Sequence, residues 1–252
     1  MRGSSGRMIF VKMAVILVLF GAGYIFTRLV PLTLMNFKSV RPNMLYSWNE
    51  TVKFKYVVLA TVILLPLLQI VTMHMHNKKM RSLDILLDAY IGINATFIIT
   101  AAAKWAVGKE RPDYNDRILQ NLKAHAILEG RRSFPSGHSS ISMALVFYLV
   151  HHAWIAVKDT PKPLVRSVLL YIGIFVPIVV GCFVCISRIW DNRHDEVDVL
   201  VGYLIGITIP YITHITLKGK GKELIEEGSD SPATKAEESG AHSEVLEMEK
   251  CP

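Results

Sequence analysis

Three short clusters in this 252-residue sequence gather residues able to hold and attack an anion. The first is Lys104-Trp-Ala-Val-Gly-Lys-Glu-Arg111-Pro112. If a helix runs on past Lys104, Arg111 falls two turns later on the same side, since their spacing is close to two helical periods. Taken alone, the cluster reads better as a basic interface whose side chains snorkel to water. The second is Ser133-Phe-Pro135-Ser136-Gly137-His138-Ser139-Ser140. Pro and Ser ahead of an apolar run are helix-start signals, with Ser136 at the N-cap. Such a helix start presents free N–H groups to an anion, and Gly137 permits its close approach. A plain cap is the alternative. The third is Ser187-Arg188-Ile-Trp-Asp191-Asn-Arg-His194-Asp195-Glu-Val-Asp198. On a helix His194 and Asp198 share a face while Asp195 and Glu196 point elsewhere. Asp198 then fixes the imidazole tautomer and leaves the other ring nitrogen free to attack. A structural His–Asp pair is the alternative.

Together the clusters supply two histidines, several cations, a helix N-terminus and one placed carboxylate. A transferring phosphoryl group needs such parts: donors for its equatorial oxygens, an in-line nucleophile and an acid for the leaving oxygen. The acids outside the His194–Asp198 pair do not cluster at metal-ligand spacing. Catalysis by a covalent phosphohistidine is therefore expected, with no metal and no cofactor.

The elements that must position these clusters are long and apolar. Hydrophobic residues make up 51% of the chain and charged residues 19%, below the ~25% of an ordinary soluble domain. They fall in six blocks, 8–27, 56–73, 86–103, 142–157, 167–187 and 199–217, each near the ~20 residues that cross a bilayer. The fourth is short unless it begins near Gly137. Trp48, Trp105, Trp154 and Trp190 stand at or near block ends, where headgroups favour them. The first block is long for a cleaved signal segment and is read as a retained span. The expected fold is an all-α six-span transmembrane bundle, residues 1–217, followed by a disordered tail, 218–252, without aromatics.

Counting connectors puts all three clusters on one face and both termini on the other. Basic residues are as numerous on either face, so charge alone does not orient the chain. The net charge of +7 invites a nucleic-acid reading, but basic residues beside anionic headgroups explain it better, and no nucleic-acid partner is expected. Cys182 and Cys185 lie inside a span and lack the setting of a redox motif. Asn49-Glu-Thr51 matches a glycosylation sequon close to the second span.

The clusters, in order and spacing, resemble the signature of the lipid phosphate phosphatase (type 2 phosphatidic acid phosphatase) family. That signature reads Lys, six residues, Arg-Pro; then Pro-Ser-Gly-His; then Ser-Arg, five residues, His, three residues, Asp. The chain has Lys104…Arg111-Pro112, Pro135-Ser136-Gly137-His138 and Ser187-Arg188…His194…Asp198, within a resemblance spanning roughly residues 50–217. The run from Glu129 to Ser140 is most similar to the phosphatidate and diacylglycerol-pyrophosphate branch. Unlike that branch, His194 is followed by Asp195 rather than a second histidine. The resemblance implies His194 as nucleophile, Asp198 as its orienting partner and His138 as acid, then base. It implies Lys104, Arg111, Ser136, Gly137 and Arg188 as phosphate holders, in a metal-independent phosphomonoesterase. It also implies an extracellular or luminal active site with cytoplasmic termini, in the plasma membrane or an endomembrane. Partners would be lipid phosphates and the bilayer, with homo-oligomerisation left open. Phosphatases of sphingoid-base, polyprenyl or sugar phosphates share this chemistry; a non-catalytic scaffold or transporter would not need His194.

Overall fold

The computed structural model of the chain describes residues 2–33, 37–76, 79–159 and 161–229. All regular elements among them are helical: α1 (Arg2–Arg28), α2 (Phe54–His76), α3 (Lys79–Val107), α4 (Tyr114–Leu119), α5 (Ala124–Glu129), α6 (Gly137–Asp159), α7 (Pro163–Val168), a π-helical stretch (Leu169–Phe175), α8 (Val176–Trp190) and α9 (Glu196–Ser229). Two units can be separated, Met1–Thr213 and His214–Pro252. The first contains the bundle and its cavity. Of the second, the structure describes the helical residues up to Ser229, so the first part of the tail expected from residue 218 is helical. Its remainder lies outside the described residues.

Among the described residues, five helices are long and apolar enough to cross a membrane: Gly6–Arg28, Leu83–Val107, Gly137–Lys158, Pro163–Trp190 and Glu196–Lys218. The block expected at 56–73 falls in α2, which supplies a shorter apolar stretch, Phe54–Leu67. Large apolar side chains such as Phe10, Leu17, Tyr171 and Phe175 point outward and exposed. Backbone polar groups satisfied within helices and an apolar exterior are what lipid demands. The chain is an integral membrane protein of all-α, bundled construction.

α6 is the central helix because it feeds every core cluster. Ala144, Leu145 and Tyr148 pack with Leu65 of α2 and Ala89 and Ile93 of α3. Met143 and Val146 pack with Cys185 of α8 and Val199 of α9, and Ile141 with Val57 and Val184. α9 reaches α6 through small residues. A Cβ at Gly202 would lie 2.5 Å from the Ser136 carbonyl oxygen, and one at Gly206 2.4 Å from that of Ser140. This is the close backbone approach that small residues four apart permit between membrane helices.

Helix ends are set by local chemistry. Gly108 has φ +61 and its N–H donates to the Lys104 carbonyl at 3.2 Å, a left-handed stop that ends α3 at Val107. The expectation that a continuing helix carries Arg111 is thereby corrected. Asn192, at φ 55, turns the chain beyond α8 in the same way. Pro177 opens α8, and because proline clashes with the carbonyl four residues back, the wider π turn before it relieves the crowding.

Candidate active site

The cavity opens where α1, α3 and α8 end and α2, α6 and α9 begin. Its volume is about 700 Å³, and Lys104, Arg111, Gly137, His138, Arg188 and His194 all line it. Three segments far apart in sequence are thus brought together. Ser136 and Asp198 stand behind the wall rather than on it. Ser136 is the N-cap of α6: its Oγ accepts from the Ser139 N–H at 3.4 Å, and its own N–H donates to the Asp198 carbonyl at 2.9 Å. By position, the amides of Gly137 and His138 have no carbonyl one turn back in the helix. A Cβ on Gly137 would meet only Lys104 Cε, at 3.5 Å. The space it would fill lies between that lysine and the helix start.

His194 lies in the loop ahead of α9, not on the helix, so the expected shared face with Asp198 is not the reason they meet. Asp195 is the N-cap, and Asp198, three residues on, accepts the Asp195 N–H at 3.1 Å, the reciprocal arm of a capping box. That bond turns the Asp198 carboxylate back toward His194, with Nδ1 to Oδ2 at 3.7 Å. Ser133 sits between them: its Oγ donates to Asp198 Oδ2 and lies 3.4 Å from His194 Nδ1. Ser133 was not singled out from sequence as a site residue, although it neighbours the Pro-Ser-Gly-His run. Burial, the strongest influence, pushes His194 from its ordinary 6.5 down to about 3; Asp198 opposes this, while Lys104 and Arg111 add to it. The ring is neutral, and Nε2 is the nitrogen left to act.

Lys109 is a second residue that sequence reasoning did not place in the site. Its Nζ reaches Asp198 Oδ1 at 2.7 Å and Asp195 Oδ2 at 2.9 Å, and all three side chains are buried. Burial works against its charge, but hydrogen bonds to Asp198 and Asp195 outweigh it and raise the pKa. Asp195 also accepts from Ser39 Oγ at 2.7 Å and the Val40 N–H at 2.9 Å. Through Lys109 it shares a cation with Asp198, and through Ser39 and Val40 it anchors another wall.

That wall is the 37–53 loop. Its Thr51 donates N–H and Oγ1 to Asp191 at 2.9 and 2.6 Å, and the Tyr46 N–H donates to Asp116 at 2.7 Å. The Tyr46 ring lies against the guanidinium groups of Arg117 and Arg193, 4.7 and 4.5 Å from its centroid. Glu50, from the same loop, comes within 3.3 Å of Arg188 Nη1 and 3.8 Å of His138 Nε2. The sequence signal for this wall was only its face by parity, because its partners are scattered carboxylates.

Cations dominate the cavity. Lys104 Nζ donates to the carbonyls of Arg132 and Ser133 at 2.7 and 3.2 Å. Arg188 Nη1 lies 3.3 Å from His138 Nε2. Arg111 pairs with Glu129 at 2.6 Å, and its buried Nε has no partner among the described residues. Burial would raise the Glu129 pKa, yet Arg111, Lys104 and Arg132 prevail and hold it low. Phe26, Phe54, Phe97 and Ile141 add apolar surface to the lining.

A membrane-embedded helical bundle with two histidines and spare cationic donors at one set of helix ends defines a class suited to binding phosphate. The chain belongs to the PAP2 superfamily, whose pattern matches residues 85–222. Its relatives include a PA-phosphatase related-family protein of Dictyostelium discoideum, 36% identical over 49% of this chain and 45% of the relative. Lipid phosphate phosphatase 1 of Arabidopsis thaliana is 28% identical over 58% and 49% of the two chains. Diacylglycerol pyrophosphate phosphatase 1 of Saccharomyces cerevisiae is 28% identical over 45% and 44%. The chain spans about half the length of these curated relatives. No solved structure matches it.

Proposed function

We propose that this protein is a metal-independent phosphatase of membrane lipid phosphate monoesters, with phosphatidate the representative substrate and lysophosphatidate and diacylglycerol pyrophosphate within reach. The observation that carries the reading is the pairing of His194, neutral and held at Nδ1 by Ser133 and Asp198, with His138 across one cationic cavity. The apolar surface in the cavity lining suits the glyceride end of such a lipid, entering laterally from the leaflet. Relatives named for lipid phosphate and diacylglycerol pyrophosphate support the substrate class.

In the first step the His194 Nε2 lone pair attacks phosphorus and the P–O ester bond breaks. His138 gives its proton to the leaving oxygen, releasing the alcohol and leaving phosphohistidine. Water then attacks, His138 takes its proton, and the P–N bond breaks to free phosphate. Lys104, Arg111, Arg188 and the amides at Gly137 hold the phosphoryl oxygens throughout. Asp198 orients the imidazole, and Ser136 builds the helix start. The carboxylates nearby are each tied to a cation, Asp113 to Arg117, Asp191 to Arg188 and Asp198 to Lys109. Histidine rather than a metal therefore carries the transfer. The site faces the lumen or exterior and the termini the cytoplasm.

The test is phosphate release from a panel of lipid phosphates in the presence of chelator, with acid-labile labelling of the protein followed in parallel. His194→Ala is expected to abolish both labelling and turnover. Undiminished turnover would remove His194 from its role, and an absolute need for a divalent metal would overturn the mechanism. A preference for sphingoid-base or polyprenyl phosphates would move the substrate assignment within the same chemistry.

A further inference from the structure

Among the described residues, Glu50 is the carboxylate that lies near both Arg188, proposed to hold phosphate, and His138, proposed to protonate the leaving oxygen. Its Oε2 lies 3.3 Å from Arg188 Nη1 and 3.8 Å from His138 Nε2, and its Oε1 lies 3.5 Å from Arg193 Nη2. It lines the cavity with a side chain 27% exposed, so it is neither sealed in the protein nor free in solvent. Arg188 needs no help from Glu50 to stay in place. Asp191 holds its Nη2 at 2.7 Å, and Ser187 Oγ accepts from Nε and Nη2 at 3.1 and 3.0 Å. The Nη1 end alone is turned into the cavity, and there it meets Glu50. Residue 50 also lies outside residues 85–222, so it is no part of the matched family pattern.

We propose that Glu50 is a resident anion of the substrate-free enzyme, paired with Arg188 Nη1 and close to His138 Nε2, at the place a phosphate oxygen takes when substrate binds. Two anions cannot share that place. A phosphate reaching Arg188 Nη1 and His138 Nε2 must displace the carboxylate, by rotation of the Glu50 side chain about its own bonds while Thr51 keeps the loop tied to Asp191. In the empty enzyme Glu50 keeps the guanidinium and imidazole from facing each other uncompensated. After turnover it competes with the product, so it favours release of phosphate from a site rich in cations. This inference rests on the phosphatase reading and adds a residue that sets the strength of phosphate binding.

The experiment compares inorganic phosphate binding to wild-type and Glu50→Gln protein, by calorimetry and as competitive inhibition of phosphatidate hydrolysis. The amide keeps the size and removes the charge. Phosphate should bind the variant more tightly by about fivefold to tenfold, the order expected for one unit charge acting at contact distance in wet surroundings. Unchanged or weaker phosphate binding overturns the proposal, because a carboxylate that merely props Arg188 would weaken binding when lost. If Glu50→Gln does not yield folded protein, Glu50→Asp takes its place. The shorter side chain draws the charge back from Arg188, and tighter phosphate binding is again required. Wild-type protein that hydrolyses phosphatidate and binds phosphate, beside a variant that binds no more tightly, removes Glu50 alone. Wild-type protein that does neither removes the phosphatase reading together with this inference.

Discussion

At the scale of single residues, the ionisation of His194 connects the site to stability. Buried among Lys104 and Arg111, its pKa falls from 6.5 to about 3, while in the unfolded chain the imidazole titrates normally. The unfolded state therefore binds more protons between these values, and its gain favours unfolding as pH falls. This residue's contribution is fully present above pH 6.5 and lost progressively below it, by at most one proton, or about 1.4 kcal/mol per pH unit. Thermal melting in detergent should show a drop in Tm from pH 7 to pH 5 that shrinks in His194→Gln. An equal drop in the variant would show that the buried imidazole is not its source. Both histidines, the cations and Asp198 were legible from residue type and spacing. Ser133, Lys109 and Asp195 were not, because their importance lies in a three-way contact between α3's end, the α6 approach and α9's start. No single segment displays that contact. Asp195 followed three residues later by Asp198 is nevertheless a capping-box pattern, and that signal was open to reading.

At the scale of elements, the long apolar runs foretold helices, and the structure begins α6 at Gly137, the start needed to make the fourth block a full span. What periodicity could not foretell was which face of α9 meets α6. That contact is made by two glycines, which carry no side chain to register in a hydrophobic pattern. It matters to the site because the same approach hydrogen-bonds the Ser136 N–H to the Asp198 carbonyl at 2.9 Å. Gly202→Ala places a methyl 2.5 Å from the Ser136 carbonyl oxygen, which is backbone and cannot rotate away. α9 must retreat, taking Asp198 and His194 with it, and a shift near 1 Å in a catalytic group can cost about 100-fold in rate. Turnover of Gly202→Ala should fall by that order while the protein still inserts and purifies as wild type. Gly21→Ala is the control, since nothing lies within 4 Å of its added Cβ, and its turnover should be unchanged. Equal activity of both variants would mean the α6–α9 contact does not set the site.

At the scale of the whole molecule, basic residues stand exposed on both faces, as their balance in the sequence suggests. On the cavity face several cations are paired, Lys109 with Asp195 and Asp198, Arg117 and Arg193 with Asp113 and Arg111 with Glu129, while the exposed Lys38, Lys53, Lys55 and Lys123 have no carboxylate partner among the described residues. On the opposite face Lys158, Lys162 and Arg166 are exposed and have no carboxylate partner among the described residues. Basic residues in short loops favour the cytoplasmic side during insertion, and neighbouring acids count for little. Charge is therefore no guide to orientation, and the test is of the proposed arrangement in which the cavity faces the lumen. Single cysteines placed at Lys123, beside α5 on the cavity face, and at Lys162, between α6 and α7, report the two sides. With the native cysteines replaced, sealed microsomes with the cytoplasmic face outward are treated with a membrane-impermeant maleimide. Lys162→Cys should label at once and Lys123→Cys only after permeabilisation. The reverse order would place the cavity in the cytoplasm, where lipid phosphates of the opposite leaflet are the ones within reach. Immediate labelling of both would mean that α6, the helix on which every core cluster depends, does not separate the two faces.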